Sequence, residues 1–410
     1  MKGSRIYIYV LLALVMAGCT DRSYQGMQEE EIYQDNSLPI PVKIHIGSAE
    51  TIISKGLGGL LDAREWKGRE FYVYAFNKDM FTSAETTSSE DRSRCLVDGS
   101  VDEPGSLGGK CALMSEKSNL VEWQGSEKSV YYPTASQSGV IYDFFAYYVD
   151  DAKVHDIYRG EETIELRLEI DGTQDIMSSK AKVMDEQLAG FQDEKDRIYM
   201  QHYCYSYYTA QHGIDPVFTF RHHLAKLDFT ITPAYNSTGQ KSVTVQSIEV
   251  ESLYLAMFTV VSRHSEDALG LLFDDENEDD DDGAGGYKRL SLKEEDKSKL
   301  SDTTYTVKTL LSASDKVESI KVGGSMLVAP DKNYNVYIQL KEIEEDGRDI
   351  TRSEPQLLPI SVKGGFQAGN SYNVDIKVYG AMRVEADVSL VDWKEGDGVS
   401  IDDEDSFNAK

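Results

Sequence analysis

The stretch 217–232, VFTFRHHLAKLDFTIT, constrains the fold most, because its apolar residues change phase in the middle. They fall on even positions up to Leu224 and on odd positions from Leu227 to Ile231. The side chains of a β-strand alternate with a period of two, so the change predicts an extra residue, a bulge or a sharp bend at Leu224-Ala225. We interpret this stretch as the first element of a second β domain.

Alternation of apolar and polar residues recurs along most of the chain. It is clear at 42–46, 164–170 and 384–390, whereas FYVYAF from Phe71 is apolar on both faces and is typical of a central strand. Tyr (25 residues) outnumbers Phe (13) and Trp (3), a composition that suits half-exposed sheets. The sequence therefore predicts an all-β fold, and the length of 410 residues predicts two β-sandwiches in tandem.

Changes of composition divide the chain into four parts. We predict a signal peptide at 1–18, a flexible tether at 19–37, an N-terminal sandwich at 38–215 and a C-terminal sandwich at 216–410. The C-terminal part contains the acidic run 274–282, DDENEDDDD, which lacks the acid spacing of a defined calcium loop.

The charge of the chain excludes one class of partner. Asp and Glu (71) exceed Lys and Arg (42), which gives a formal net charge of −29. A phosphate backbone would be repelled, so we expect no nucleic-acid partner.

The N-terminus resembles a bacterial lipobox. A basic start and an apolar stretch at 6–16, too short to span a bilayer comfortably, precede Ala17, Gly18 and Cys19. We expect Cys19 to become the lipid-modified first residue of an exported protein, and an ordinary signal peptide cut nearby is the alternative. No later segment is long and apolar enough to cross a membrane, so the lipid would be the only anchor.

The other cysteines leave two alternatives open. Cys95 and Cys111 flank a Gly- and Pro-bearing loop, and an oxidising compartment permits a disulfide between them. Two thiols that stay free are equally compatible with the sequence. Cys204 has no evident partner.

No arrangement of residues predicts catalysis, a cofactor or a metal site. One group of residues has side chains that could ligate zinc, but it lacks the repeated ligand spacing of a zinc site. It consists of His202, Cys204, His212, His222 and His223. Adjacent strand residues point to opposite faces, so His222 and His223 do not easily serve one ion. A nucleophile elbow and a P-loop are missing from the sequence, and we expect a protein that is not an enzyme.

Several motifs, each of low specificity, are distributed along nearly the whole chain. They are the lipobox ending at Cys19, FYVYAF at 71–76, YYP at 131–133, YDFFAYY at 142–148, DIM at 175–177, HLAKLDF at 223–229, NSYNVDI at 370–376, and Trp393. Together they resemble the fimbrillin family, the pilus subunits and accessory subunits of Bacteroides- and Porphyromonas-type bacteria.

The resemblance implies two transthyretin-like sandwiches on a lipoprotein exported to the outer-membrane surface. A trypsin-like protease would remove the lipidated N-terminal strand, and a strand from another fimbrial subunit would fill the open groove. An added strand satisfies the unpaired backbone groups of such a groove along its length. No cofactor is implied.

Two strands are the candidates for this exchange. Strand 42–46 would occupy the groove until cleavage after Lys55 or Arg64, although the family commonly carries Arg at this site. If neither is cut, the protein would stay anchored and act as an anchor or terminal subunit.

The donor candidate is the terminal strand at 384–393. Its apolar face consists of Val384, Ala386, Val388 and Leu390. The same alternation would also serve a strand that closes its own sandwich. The alternative function is a monomeric surface lipoprotein that binds a glycan or host ligand, for which three scattered Trp are a thin signal.

Overall fold

The computed structural model describes residues 38–47, 68–79, 95–99, 108–115, 120–125, 129–133, 140–264, 266–274, 286–343, 349–351 and 354–391. Cys19, Lys55, Arg64, Trp393 and all but the first residue of the acidic run lie outside these ranges, so the predictions for them remain predictions.

Strands dominate the described residues, and the predicted all-β fold is confirmed. The strands are β1 (Ile40–Pro41), β2 (His45–Ile46), β3 (Glu70–Asn77), β4 (Cys95–Val97), β5 (Lys110–Met114), β6 (Val121–Trp123), β7 (Tyr131–Tyr132), β8 (Tyr142–Tyr148), β9 (Lys153–Arg159), β10 (Thr163–Glu169), β11 (Met177–Lys180), β12 (Val217–Phe218), β13 (Arg221–His222), β14 (Ala225–Pro233), β15 (Ser242–Leu253), β16 (Leu255–Ser262), β17 (Gly270–Phe273), β18 (Tyr287–Ser291), β19 (Tyr305–Lys308), β20 (Ile320–Val328), β21 (Asp331–Ile343), β22 (Asp349–Thr351), β23 (Gln356–Phe366), β24 (Ser371–Gly380) and β25 (Arg383–Val391). In the described ranges the α-helices are α1 (Asp185–Leu188), α2 (Glu194–His202) and α3 (Tyr207–Gln211).

The N-terminal sandwich consists of a seven-stranded and a four-stranded sheet. The first has the order β13-β11-β8-β3-β5-β6 with β4 also paired to β3, and the second has the order β17-β16-β10-β9. Between them lies an inter-sheet core that includes Tyr74, Phe145, Leu166 and Phe258. The other face of the seven-stranded sheet carries a second, outer core, which the three helices cover. Strand β3 is central and contributes to both cores, as its two apolar faces predict.

The C-terminal sandwich packs the sheet β20-β14-β24-β25 on a second sheet of order β18-β15-β21-β22, to which β19 and β23 also pair. Its core includes Phe229, Ile231, Ile338 and Ile376. Burial alternates along β24 from Tyr372 onwards, because one face of this strand meets the core and the other is partly exposed.

The phase change in the stretch 217–232 is observed as a break between two strands. Strand β13 ends at His222 and β14 begins at Ala225. Phe220 is buried in the outer core, Leu224 in the inter-sheet core and Leu227 in the C-terminal core. One short stretch therefore contributes to three cores, which requires the backbone to turn at the predicted place.

Strands from beyond residue 215 also complete the N-terminal sandwich. Strand β12 pairs with β2, β13 with β11, and β16 with β10. Only Tyr254 separates β15, in the C-terminal sandwich, from β16, in the N-terminal one, and its side chain packs against both cores. The sequence did not predict this crossing, because alternation sets the faces of a strand and not its partners.

Candidate functional site: residues 40–47 and the terminal edge strand

Residues 40–47, here named the inserted segment, lie between two parts of the N-terminal sandwich. On one side β1 pairs antiparallel with β7. The Val42 amide also donates a 2.7 Å hydrogen bond to the Val130 carbonyl, and the Ile44 carbonyl accepts one of 3.0 Å from the Val121 amide.

The opposite side of the inserted segment is paired as well. Strand β2 runs parallel to β12. The amides of His45 and Gly47 donate 2.9 Å hydrogen bonds to the carbonyls of Pro216 and Phe218. The segment is therefore held by backbone bonds along both edges, as a strand filling a slot would be.

The side chains of the inserted segment alternate as predicted. Val42, Ile44 and Ile46 are 5%, 1% and 4% exposed and belong to the outer core, whereas Lys43 is exposed. Full burial of three aliphatic side chains contributes roughly 6 kcal/mol before the cost of ordering the chain. The segment is thus a structural part of the N-terminal sandwich.

Polar contacts fix the segment against the helical side of the sandwich. His45 Nε2 lies 3.3 Å from Asp215 Oδ2, and the Tyr207 hydroxyl on α3 donates a 2.8 Å hydrogen bond to the Leu38 carbonyl. Gln187 Nε2 donates to the Asp215 carbonyl at 2.8 Å. These contacts orient both the segment and the strand β12 beside it.

The terminal edge strand, β25, closes the sheet of the C-terminal sandwich. It pairs antiparallel with β24 from Val384 opposite Val378 to Val391 opposite Ser371. It lies at the end of its sheet, where an outer edge is open to a further strand.

Three of the four side chains on the predicted apolar face of β25 meet the core. Val384, Ala386 and Val388 are partly buried against the C-terminal core, and Leu390 is 48% exposed. In this chain the strand therefore closes its own sandwich, which is the alternative that the sequence left open.

Charged side chains cover the polar face of β25. Lys377 Nζ on β24 bonds Asp387 Oδ2 at 2.5 Å, and Arg383 Nη2 bonds Glu385 Oε1 at 2.9 Å. The Arg383 hydrogen bond, with one from Tyr379, holds the pKa of Glu385 below its usual value. Such charges oppose uncontrolled pairing of an edge strand.

Cys95 and Cys111 form no disulfide in the structure. Cys95 lies opposite Phe76 and Cys111 opposite Tyr72 along the same strand β3. Phe76 and Tyr72 are four residues apart on β3, so the Cα atoms of the two cysteines lie about 13 Å apart. A disulfide needs a Cα–Cα distance of less than about 7 Å. Of the two alternatives, the structure has the unlinked thiols.

The histidines of the conceivable zinc group do not converge. His222 Nδ1 pairs with Asp175 at 2.8 Å, and His223 Nε2 lies 2.7 Å from the Ser178 hydroxyl. Burial, with the adjacent His222, lowers the pKa of His223 to about 4. No three potential metal-ligand side chains converge anywhere in the described ranges.

The walls of the slot around the inserted segment were missed by sequence reasoning. They are Leu120 and Val121, Val130 to Tyr132, and Pro216 to Phe218. The Tyr131-Tyr132-Pro133 motif is visible in the sequence, but nothing in its composition indicates which segment pairs with it.

No protein-family model and no curated protein sequence matches the chain. Solved structures are similar to it, among them the following three. A candidate cell adhesion protein from Bacteroides ovatus has a TM-score of 0.39 and 11% identity over 88% of this chain and 99% of that chain. One from Parabacteroides distasonis has a TM-score of 0.38 and 8% identity over 86% and 96%. The fimbrial anchor protein Mfa2 from Porphyromonas gingivalis has a TM-score of 0.34 and 12% identity over 87% and 98%.

At these identities and TM-scores the similarity carries no argument about what this chain does. Within the described residues, no helix has the length and apolar character to cross a membrane. By their names, the three solved structures are two candidate cell adhesion proteins and a fimbrial anchor protein, the kind of protein that the sequence also resembles.

Proposed function

We propose that this chain is a structural subunit of a cell-surface fimbria that assembles by strand exchange. The observation that carries the proposal is the inserted segment, which is paired along both edges and places three aliphatic side chains in the outer core. A short segment held in this way can be replaced by any strand with the same alternation, because backbone pairing is independent of sequence.

Export and processing complete the proposal. Cys19 would carry the lipid that tethers the precursor to the outer membrane, and a trypsin-like protease would cut after Lys55 or Arg64. The inserted segment would then have no covalent link to the sandwich and could leave the slot. A precursor that is not cut would remain an anchored subunit at the base of the fibre.

The terminal edge strand is the proposed donor. Val384, Ala386 and Val388 are only partly buried in their own sandwich, whereas the slot buries Val42 and Ile44 almost completely. Transfer of β25 into the slot of a second copy would therefore remove more apolar surface from water, which favours exchange. The strand must first leave β24.

Cleavage is tested by treating the purified precursor with a trypsin-like protease. We expect an SDS-resistant ladder from the parent and none from the variant Lys55→Ala/Arg64→Ala. Lys316→Ala, at a side chain that is 85% exposed, is the control for loss of a basic residue and should form the ladder. N-terminal sequencing of the fibre should begin at Gly56 or Glu65. A ladder from the double variant would contradict this cleavage site.

The donor is tested with a reversible lock. Asn373 and Ser389 lie directly opposite each other on β24 and β25. The double variant Asn373→Cys/Ser389→Cys can therefore form a disulfide that keeps β25 paired with β24. Glu249→Cys/Ser291→Cys, opposite each other on β15 and β18, is the matched control. We expect the first lock to block the ladder until it is reduced. A ladder from the oxidised first variant shows that the donor lies elsewhere.

A further inference from the structure

A line of aromatic rings runs across the helical side of the N-terminal sandwich. Tyr203 and Tyr199 have ring centroids 4.4 Å apart, Tyr199 and Tyr208 5.6 Å, Tyr208 and His212 4.5 Å, and His212 and Phe191 6.4 Å. We name these five rings the aromatic ribbon. The strand exchange proposed above uses none of them.

Two capped helices hold the ribbon in place. Tyr199 and Tyr203 lie one turn apart at the end of α2, whose N-terminus is capped by the Asp193 side chain at the Lys195 amide. Ser206 caps α3, which carries Tyr208. Because short helices are fixed by their caps and by the core beneath them, the rings form a pre-organised surface.

The ribbon differs from the core residues on and between the same two helices. Met200, Tyr205 and Tyr207 are buried in the outer core. Phe191 and the tyrosines of the ribbon are half-buried and His212 is exposed, so solvent reaches part of each ring, although Phe191 and Tyr208 also pack against the outer core. Contiguous apolar surface of this kind marks an interaction site more often than a single exposed ring does.

Two other partly buried tyrosines of the chain each lie beneath a guanidinium group. Tyr337 is covered by the Arg289 guanidinium, 3.6 Å from its ring centroid, and Tyr379 by Arg383 at 4.3 Å. The ribbon rings contact one another, and tyrosine and histidine rings combine apolar faces with hydroxyl and imidazole tips. This combination suits a ligand that is apolar on one face and rich in hydroxyl groups at its rim.

We propose that the aromatic ribbon binds a neutral oligosaccharide. Sugar rings present C–H groups that pack on aromatic faces, and their hydroxyl groups hydrogen-bond to tyrosine and histidine tips. The formal net charge of −29 opposes an acidic glycan. A stable protein partner needs about 20 to 30 residues on each side, far more than five rings supply, so a small ligand fits better.

The test uses the full-length protein on an array of neutral gluco-, manno- and galacto-oligosaccharides of several units, printed beside sialylated and sulfated ones. Affinity for each neutral oligosaccharide that binds is then measured by calorimetry. We expect neutral binding by the parent, weakened about 5- to 10-fold by Tyr203→Leu, which keeps an apolar side chain but removes the ring. Tyr158→Leu, on a tyrosine 47% exposed on β9, is the matched control and should bind as the parent does.

A second variant keeps the test decisive if Tyr203→Leu misfolds. His212 is exposed, so His212→Ala should fold and still lose affinity. The proposal is overturned if the parent binds no neutral oligosaccharide at millimolar concentration or only acidic ones. Equal losses in Tyr158→Leu and the ribbon variants, or unchanged affinity in His212→Ala, overturn it too. Failure here leaves the strand-exchange proposal untouched, because the slot and β25 lie outside the ribbon.

Discussion

Arg159 on β9 and Asp98, directly after β4, form a buried ion pair that joins the two sheets of the N-terminal sandwich. Arg159 Nη1 and Nη2 donate to Asp98 Oδ2 at 2.9 and 2.7 Å, and the two side chains are 7% and 0% exposed. The guanidinium also lies 5.6 Å from the ring centroid of Tyr74. An edge strand that is otherwise mostly exposed is thereby fixed to the larger sheet.

Loss of one partner should destabilise the chain strongly. Arg159→Met leaves the Asp98 carboxylate buried without its cation, and we expect the free energy of unfolding to fall by about 3 to 5 kcal/mol. The double variant Arg159→Met/Asp98→Leu should recover most of this loss, because neither charge remains. Urea denaturation measures both. A double variant no more stable than the single one would show that the pair contributes by packing rather than by charge.

The inserted segment should behave as part of the core before cleavage. Ile44 is 1% exposed, so Ile44→Ala creates a cavity and should cost about 2 to 5 kcal/mol. Lys43→Ala, one residue earlier on the exposed face, should change stability by less than about 0.5 kcal/mol. Equal effects of the two substitutions in urea denaturation would mean that the segment does not fill the slot in solution.

Local patterns predicted the faces of the strands well. The central position of β3, the alternation at 42–46 and the break before Ala225 all follow from the period of two. The same patterns did not predict that β12 pairs with β2, or that β16 joins the N-terminal sandwich. Alternation constrains which side chains of a strand are buried. Which strand pairs with which depends on the path of the connecting loops, and the local sequence does not encode that path.

The candidate site, too, could be predicted from the sequence only in part. The apolar faces at Val42 and Val384 were visible in the sequence, but the walls of the slot and the ribbon from Phe191 to His212 required the structure. Aromatic residues spread over a loop and two short helices show no single period, so no pattern search would join them.

His223 should make the stability of the chain fall in mild acid. Burial is the main cause that lowers its pKa to about 4, while nearby Asp175 acts in the opposite sense. The unfolded chain binds the proton near pH 6.5, so the stability is fully present above that pH and is lost as pH falls towards 4. We expect a decrease of about 3 kcal/mol over this range.

The substitution His223→Gln removes this titration while keeping a side chain that can hydrogen-bond to Ser178. Unfolding free energies of the parent and the variant are compared between pH 7 and pH 4. The variant should be less stable at pH 7 but should lose less on acidification. An identical pH dependence in both proteins would assign the titration to another group.

The joint between the two sandwiches should depend on salt. Lys293 Nζ lies 2.6 Å from Asp171 Oδ2, and Lys297 Nζ lies 3.1 Å from Asp150 Oδ2. Burial alone would raise the pKa of Asp171, but hydrogen bonds from Lys293 and Thr173 outweigh it and lower the value to about 2. The lysines belong to the C-terminal sandwich and the acids to the N-terminal one, so these pairs tie the two together.

Partly exposed pairs contribute at most about 1 kcal/mol each, and ions screen them. The variant Lys293→Gln/Lys297→Gln should therefore unfold at a lower temperature than the parent at low ionic strength, and the difference should shrink in 1 M NaCl, where the screening length is about 3 Å. Lys316→Gln, whose partner Glu318 lies two residues away within one loop, is the control and should leave the melting temperature unchanged. Calorimetry should also show whether the double variant resolves two transitions, since the packing around Tyr254, the Lys288–Glu169 ion pair and the hydrogen bond from the Leu327 amide to the Gly172 carbonyl still join the sandwiches. A salt-independent difference between parent and double variant would mean that the lysines act through packing of their stems instead.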